Sequence, residues 1–151
     1  MAEPLVRDQG FEQRVRDSFE RQRFMVTLGA TLERVAPGEV LIAVPFSEAL
    51  TQQHGFLHAG VVASVIDSAC GYAALTLMEP GAGVMSVEFK VNLLLPAVGN
   101  RFVAIGRVLR AGRNVTACHG ELRAVQDDGE VVVAVLQGTM MTVRDRTGIA
   151  D

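Results

Sequence analysis

A single carboxylate, Asp67, lies in a stretch of otherwise apolar or small residues that runs from Gly60 to Met78. A carboxylate that is buried without a partner is costly, so proteins usually neutralise it, pair it or use it in a reaction. The chain has no lysine or arginine between Arg34 and Met85 that would pair with it locally. The alternative is a solvent-facing aspartate on a surface helix, but the flanking residues offer no wide polar face. Asp67 is therefore the first candidate catalytic residue.

Small and polar residues form one stripe along this segment if the segment is helical. Gly60, Ser64, Asp67 and Gly71 follow the spacing i, i+4, i+7 and i+11, and Ser68 lies beside them. Such a stripe leaves room for a substrate next to Asp67, or it lets the backbone of a second subunit come close. Ser64 and Ser68 are therefore candidate substrate contacts.

The start of the same helix is a candidate anion site. If the helix begins near Ala59, the N–H groups of Ala59, Gly60 and Val61 are unpaired and point out of its N-terminus. Such an end suits an oxyanion that develops during a reaction, and Gly60 lets a substrate approach the backbone. The alternative for Gly60 is that it merely eases packing of the helix.

The histidines and cysteines do not have the spacing of a metal site. His54 and His58 are four residues apart, but no third ligand lies nearby and no glutamate follows His54 as in a zinc-protease helix. Cys70 and Cys118 lie in apolar segments, which is typical of free buried thiols in a reducing cytosol. We therefore expect neither a metal nor a cofactor.

The elements that must position these residues follow from the hydrophobic pattern. A charged amphipathic helix is predicted over Phe11–Phe24, and Pro45–Leu57 reads as an irregular polar segment ahead of the apolar helix. Alternating or apolar runs between turn sequences predict six strands: Leu28–Val35, Val40–Val44, Val84–Leu93, Phe102–Leu109, Val115–Val125 and Val131–Val143.

One long helix that is apolar on nearly every side needs apolar surface around it. A single curved antiparallel sheet supplies that surface, which predicts an α+β fold with the sheet wrapped around the helix. The chain of 151 residues fits one domain over residues 28–143, preceded by an N-terminal helical segment, 1–27, and followed by a flexible tail, 144–151.

Charge and hydropathy exclude other classes of protein. The net charge of −3 argues against nucleic-acid binding, which needs a basic surface. The apolar stretch from Gly60 to Met78 approaches membrane length, but Asp67 and its small residues favour a buried helix. The N-terminus carries Glu3 and Arg7 and lacks the apolar core of a signal peptide, so we expect a cytoplasmic location.

These residues together resemble the hotdog-fold thioesterases of the phenylacetate-pathway (PaaI-like) type. That family has a His-Gly-Gly motif, then six intervening residues and an Asp or Glu on the central helix; here the motif is His58-Ala59-Gly60 with Asp67. The resemblance covers residues 28–143. Ala59 departs from the glycine, and Gln52 stands where related enzymes commonly have asparagine.

The resemblance implies an acyl-CoA thioesterase in which coenzyme A is part of the substrate. Asp67 is then the nucleophile or the general base, and Gln52, with Gln53 as its competitor, holds the carbonyl or the attacking water. Ser86 orients water, and His58 braces the loop or the helix end. The site is expected between two subunits, in a homodimer or a dimer of dimers.

The substrate itself is less defined by the sequence. Lys90, Arg110 and Arg113 are candidate contacts for coenzyme A phosphates. The alternative, which is favoured for Arg113, is a solvated charge. A hotdog hydratase or dehydratase and a non-enzymatic acyl-CoA sensor are the alternative functions. Several large side chains suit either an aryl or an aliphatic acyl pocket: Phe46, Phe56, Leu57, Tyr72 and Met78. With Ala59 beside the carbonyl, the candidate substrate contacts are Ala59, Ser64, Ser68, Lys90, Arg110 and Arg113.

Overall fold

A computed structural model of the protein describes residues 5–151. The first four residues, which begin the predicted N-terminal segment and include Glu3, lie outside the described residues. The predicted helix Phe11–Phe24 is divided in two at Gln22, whose ψ of 90° leaves the helical conformation. Helix α1 covers Phe11–Arg21 and helix α2 covers Arg23–Thr27.

Within the described part of the chain, six strands form one antiparallel sheet in the order β1-β2-β4-β5-β6-β3. The first strand begins three residues later than predicted, because α2 and a turn at Gly29, with a φ of 66°, occupy the preceding residues. The strands are β1 (Thr31–Ala36), β2 (Glu39–Pro45), β3 (Gly83–Leu93), β4 (Arg101–Ala111), β5 (Val115–Gln126) and β6 (Gly129–Val143).

The sheet wraps the long helix α3 (Ala59–Leu75), which packs against β2, β3, β4, β5 and β6. The predicted architecture, one antiparallel sheet around one central helix with an extra N-terminal helix, is therefore confirmed. The helix ends at Leu75, three residues before the predicted end. The Arg14 guanidinium of α1 donates to the carbonyl oxygens of Leu75 at 2.9 Å and Met78 at 2.9 Å, and so satisfies the helix end.

Two glycines allow the helix to lie directly on the sheet. A Cβ atom on Gly106 of β4 would lie 2.3 Å from the backbone of Ala69, and one on Gly120 of β5 would lie 2.2 Å from Ile66. Real Cβ atoms do not come this close to other heavy atoms, so only glycine fits the present separation of α3 from the sheet.

One face of α3 is left partly open, and it lies beside the edge strand β3. Asp67 is half-buried on this face, and the residues around it are fully or partly accessible. The small and polar stripe predicted from the sequence is thus the accessible face of the helix, which comprises Ala59, Gly60, Ala63, Ser64, Asp67, Ser68 and Gly71.

The chain end packs back onto the domain. The Asp151 carboxylate accepts hydrogen bonds from the Ser18 hydroxyl at 2.6 Å and from the Val84 N–H at 3.2 Å. It thereby connects α1 with the start of β3. Between residues 5 and 151, no helix has the length and apolar character needed to cross a membrane.

Candidate active site

Asp67 meets Ser86 where α3 passes the start of β3. The Ser86 hydroxyl donates a hydrogen bond to Asp67 Oδ1 at 2.7 Å. Burial raises the pKa of the Asp67 carboxyl above its ordinary value, and the bond from Ser86 lowers it by a smaller amount. The carboxylate is therefore a stronger base than a solvated aspartate, and one of its oxygens is held in place.

A cavity of about 330 Å³ opens beside this pair. Its wall is formed by α3, by the junction of α1 and α2, by the start of β3 and by the chain end. Most of the side chains that line it are polar: Ser18, Arg21, Gln22, Asp67, Ser68, Gly71, Tyr72, Val84, Ser86 and Asp151. We call this space the Asp67 cavity.

His58 is the N-cap of α3, and its side chain is used there. The Gly60 N–H donates to His58 Nδ1 at 2.8 Å, and the Val61 N–H donates to the His58 carbonyl at 2.9 Å. The expectation of three unpaired N–H groups is therefore wrong for Gly60 and Val61. Within residues 5–151, the Ala59 N–H has no protein acceptor, so it is the free donor at this helix end.

Ala59 and Gln52 line a second cavity, also of about 330 Å³, whose wall is mainly apolar. Gln52 sits in a turn in which its side-chain oxygen accepts from the His54 N–H, and its own N–H donates to Phe56 O at 2.9 Å. Gln53 is exposed and does not line this cavity. The remaining lining of this space, the Ala59 cavity, is Phe56, Leu57, Val62, Leu93, Leu94, Leu95, Pro96, Ala97 and Val133.

The two cavities lie at different positions along α3. Asp67 is eight residues beyond Ala59, which corresponds to about 12 Å along the helix axis. A carbonyl group that accepts from the Ala59 N–H therefore cannot contact the Asp67 carboxylate of the same chain. One chain therefore does not bring the Ala59 N–H and the Asp67 carboxylate together.

The predicted substrate contacts are spread over the molecule. Ser68 lines the Asp67 cavity, whereas the Ser64 hydroxyl donates to Gly60 O at 2.6 Å and so bonds within its own helix. Lys90 is exposed on β3, and Arg110 lines a separate cavity near the end of α3. Arg113 lies in the turn between β4 and β5. The structure does not bring Lys90, Arg110 or Arg113 to Asp67 or Ala59 within one chain.

The thiols and the ionisable groups give no sign of a metal centre. Burial raises the pKa of Cys118 to about 12, and it raises that of Cys70 as well, so both thiols stay protonated. Among residues 5–151, no three His, Cys, Asp or Glu side chains are grouped so that they could hold a metal ion.

The family model described as the thioesterase superfamily matches residues 54–131, a segment that includes His58, Ala59 and Asp67. The chain belongs to the thioesterase superfamily. The predicted resemblance to PaaI-like hotdog thioesterases is thereby confirmed, and with it the enzyme class, a thioester hydrolase.

Individual relatives agree with this assignment. A thioesterase family protein from Silicibacter pomeroyi is 50% identical, with a TM-score of 0.87 over 89% of this chain and 98% of that protein. Human acyl-coenzyme A thioesterase 13 is 33% identical over 86 residues, which span 56% of this chain and 61% of that relative. The E. coli PaaI protein from the phenylacetic acid degradation operon has a TM-score of 0.79 at 18% identity, over 97% and 99% of the two chains, and shows the shared fold.

Several residues of the site were not predicted from the sequence. Gln22, Ser18 and Asp151 line the Asp67 cavity, although they are far from Asp67 along the chain. They reach it because α1 folds over α3 and the chain end returns to α1. The spacing of residues along the chain cannot predict such contacts, because they join segments that are distant in the sequence.

Proposed function

We propose that the protein hydrolyses acyl-CoA thioesters at a site assembled from two copies of the chain, with Asp67 from one copy and the Ala59 N–H from the other. The observation that carries this proposal is their separation of about 12 Å along α3, which prevents joint action within one chain. A two-fold axis would set Asp67 of each copy opposite Ala59 of its partner and create two equivalent sites. The acyl-CoA class is supported by the likeness to acyl-coenzyme A thioesterase 13.

Asp67 can act on the thioester in two ways. It attacks the carbonyl carbon and forms an anhydride that water then hydrolyses, or it takes a proton from the water that attacks the carbonyl. In both routes, negative charge develops on the carbonyl oxygen. The C–S bond then breaks, and coenzyme A leaves as a thiolate that takes up the proton lost by the water. The Ala59 N–H and the positive end of the α3 dipole would stabilise that charge.

Gln52 and Ser86 support the reaction from the two sides of the site. Gln52 shares the Ala59 cavity, so its side-chain amide is available to hold the carbonyl or the attacking water. Ser86 holds one Asp67 oxygen at 2.7 Å and leaves the other for the reaction. His58 has an indirect role. Its side chain accepts from the Gly60 N–H and so fixes the first turn of α3, which positions the Ala59 N–H.

The edge of the sheet supports a homodimer. The two edge strands differ in length, because β1 has six residues and β3 has 11, while each strand has one register shift, at Leu32/Arg34 in β1 and at Ser86/Glu88 in β3. Large apolar side chains on β3 are 43% exposed at Met85, 57% at Val87 and 43% at Phe89. The first half of this edge, before Lys90, exposes these apolar side chains and is open to pairing with another chain, and it also carries Ser86. A partner on this edge would therefore come close to the Asp67 cavity.

The composition of the Asp67 cavity favours hydrolysis over the hydratase alternative. A hydratase reaction generally needs a histidine that acts with the carboxylate, and none of the described residues that line this cavity is a histidine. His58, next to Ala59, is held at the helix start, where its Nδ1 accepts from the Gly60 N–H. A non-enzymatic sensor would not need a half-buried carboxylate whose pKa is raised.

The proposal is tested with a heterodimer that carries one defect on each chain, Asp67→Asn on one and Ala59→Pro on the other. Proline suits Ala59 because this is the first position of the helix, and the His58 ψ of 138° is compatible with a following proline. The substitution therefore removes the N–H and keeps the helix start. Two different affinity tags allow the mixed dimer to be purified, and thiol release from acyl-CoA is measured.

The shared site and a site within one chain give opposite results. If the site is shared, each homodimer is inactive and the heterodimer keeps one intact site of two, with about half of the wild-type rate. If each site lies within one chain, both sites of the heterodimer carry a defect and it is inactive. Absence of thiol release by the wild-type protein from all of a range of acyl-CoA thioesters would refute the hydrolysis itself.

A further inference from the structure

The segment that follows β6 returns to the start of β3. Two residues with positive φ allow this return, Asp145 at 50° and Gly148 at 83°. Ile149 then lies on Gly83, because a Cβ atom added to that glycine would be 2.8 Å from Ile149 Cγ2 and 3.1 Å from the Ile149 carbonyl oxygen. The segment is therefore packed closely on the first residue of β3, and it places Asp151 in the wall of the Asp67 cavity.

The Asp151 carboxylate joins two walls of that cavity. One of its oxygens accepts from the Ser18 hydroxyl of α1 at 2.6 Å, and the other accepts from the Val84 N–H of β3 at 3.2 Å. Because β3 is an edge strand, β6 pairs with only one side of it. Asp151 thus holds β3 at Val84 from the side that has no neighbouring strand in the chain.

Ser86 depends on the same short stretch of β3. It is two residues beyond Val84, so the two side chains lie on the same face of the strand. Regular pairing with β6 runs from Gly83 to Ser86 and is interrupted by a register shift between Ser86 and Glu88. A displacement of Val84 would therefore reach the Ser86 hydroxyl, which is 2.7 Å from Asp67 Oδ1.

We infer that Asp151 is a positioning residue for the hydrolysis: by holding Val84 from outside the strand, it keeps the Ser86 hydroxyl on the Asp67 carboxylate. The inference rests on the proposed catalytic role of Asp67. It gives the segment after β6 a task in the reaction, although no atom of this segment acts on the thioester.

The sign of a pKa change separates positioning by Asp151 from an effect of its charge. Removal of a nearby negative charge would lower the pKa of the Asp67 carboxyl. Loss of the bond from Ser86 would raise it, because that bond stabilises the ionised form. The other ionisable groups around Asp67 stay the same in such a comparison: Arg21 of α1, Cys70 and Tyr72 of α3, and Cys118 of β5.

The test follows the Asp67 carboxyl by carbon NMR across pH, with the signal assigned by its loss in Asp67→Asn. We expect Asp67 to titrate at least about 0.5 pH unit higher in Asp151→Ala than in wild type. Asp151→Asn should not raise it, because the amide oxygen can accept from the Val84 N–H while the amide nitrogen donates to the Ser18 hydroxyl. Ser86→Ala shows the full effect of losing the bond to Asp67.

Asp128→Ala is the matched control, because Asp128 is an exposed carboxylate in the turn between β5 and β6. It should leave the titration of Asp67 unchanged. In the Ser86→Ala, Asp151→Ala double variant, the pKa should be no higher than in Ser86→Ala alone, since Asp151 acts through Ser86. A pKa that stays or falls in Asp151→Ala, or one that rises further in the double variant, would overturn the inference.

Thiol release from acyl-CoA measures the consequence for the reaction. In Asp151→Ala, kcat/KM at pH 7 should fall about threefold to tenfold, and the acid side of its pH profile should move to higher pH together with the NMR titration. A raised pKa of Asp67 with an unchanged pH profile of kcat/KM would refute a part for Asp151 in the reaction. The NMR titration needs no turnover, so a raised pKa in a protein that releases no thiol would refute the hydrolysis and leave the contact through Ser86 supported.

Discussion

The catalytic role proposed for Asp67 comes with a cost in stability. Burial raises its pKa, so between the ordinary value of 3.8 and the raised value the folded state binds more protons than the unfolded state. The free energy of unfolding therefore falls as the pH rises through this interval. Above both values, the full cost of holding a desolvated carboxylate remains.

Asp67→Asn should thus have opposite effects on activity and stability. The amide keeps the size of the side chain and can still accept from Ser86, but it cannot attack or take a proton. We expect the hydrolysis rate to fall by at least about 100-fold, while the variant unfolds at a higher temperature than wild type at pH 7. The gain in Tm should disappear in acid, below the ordinary pKa of 3.8. Thiol release and thermal unfolding across pH measure the two effects.

A merely structural aspartate would give a different result. If Asp67 were retained for a stabilising hydrogen bond, its replacement would lower the Tm and leave the rate near that of wild type. The wild-type rate itself should rise with pH as the carboxyl loses its proton, at a pH above the range of a solvated aspartate.

At the residue scale, the sequence predicted the candidate residue better than its surroundings. Asp67 stands out because it is the one charge in a long apolar segment, which is a local property of the chain. The unpaired N–H groups at the start of α3 were predicted less well. Three were expected, but the Gly60 N–H donates to the His58 side chain. Whether a side chain turns back onto the helix start depends on its rotamer, and the residue order does not define it.

At the element scale, the long periodic segments were predicted and the breaks were not. The central helix and the four C-terminal strands follow from their apolar patterns. The N-terminal helix is divided at Gln22 although no proline or glycine, the usual helix-breaking residues, lies at this position. The break places Gln22 in the wall of the Asp67 cavity.

The contact between α3 and the sheet gives a prediction at this scale. Gly106→Ala would place a Cβ atom 2.3 Å from the backbone of Ala69, and backbone atoms cannot move aside as a flexible side chain can. We expect the variant to lose about 1–3 kcal/mol of unfolding free energy, as overpacked cores do. Denaturant unfolding measures the loss.

Gly138→Ala is the matched control for this prediction. Gly138 also lies in a strand, β6, but an added Cβ atom would come no closer than 3.3 Å to side-chain atoms of Leu136, Met140 and Phe89. We therefore expect a clearly smaller loss of stability. Equal losses in the two variants would show that helix–sheet contact at Gly106 is not the cause.

At the scale of the whole molecule, one chain holds the two parts of the proposed site apart. Chain length and composition predicted one domain. The apolar character of the long helix predicted that a sheet wraps around it. The contact of Asp151 with Ser18 joins residues 133 positions apart and could not be predicted from spacing. The relation between Asp67 and Ala59 became clear only with the helix bounds, because the distance along α3 shows that they cannot share one carbonyl.

The proposed dimer should therefore be required for activity and should depend on β3. Val87 lies on this edge with 57% of its surface exposed, so Val87→Lys adds a charge without disturbing the core of the chain. Lysine on an edge strand opposes pairing with another chain. We expect light scattering to show monomers at micromolar concentration and thiol release to fall by at least about 100-fold, since the Ala59 N–H of the partner is lost.

Val26→Lys provides the control, because Val26 is 69% exposed on helix α2 and is not part of β3. This variant should keep the oligomeric state and the activity of the wild-type protein. A Val87→Lys monomer with full activity would mean that one chain suffices for hydrolysis, against the distance between Asp67 and Ala59. A wild-type protein that is monomeric while active would lead to the same conclusion, and the oxyanion donor would then have to lie within reach of Asp67 in its own chain.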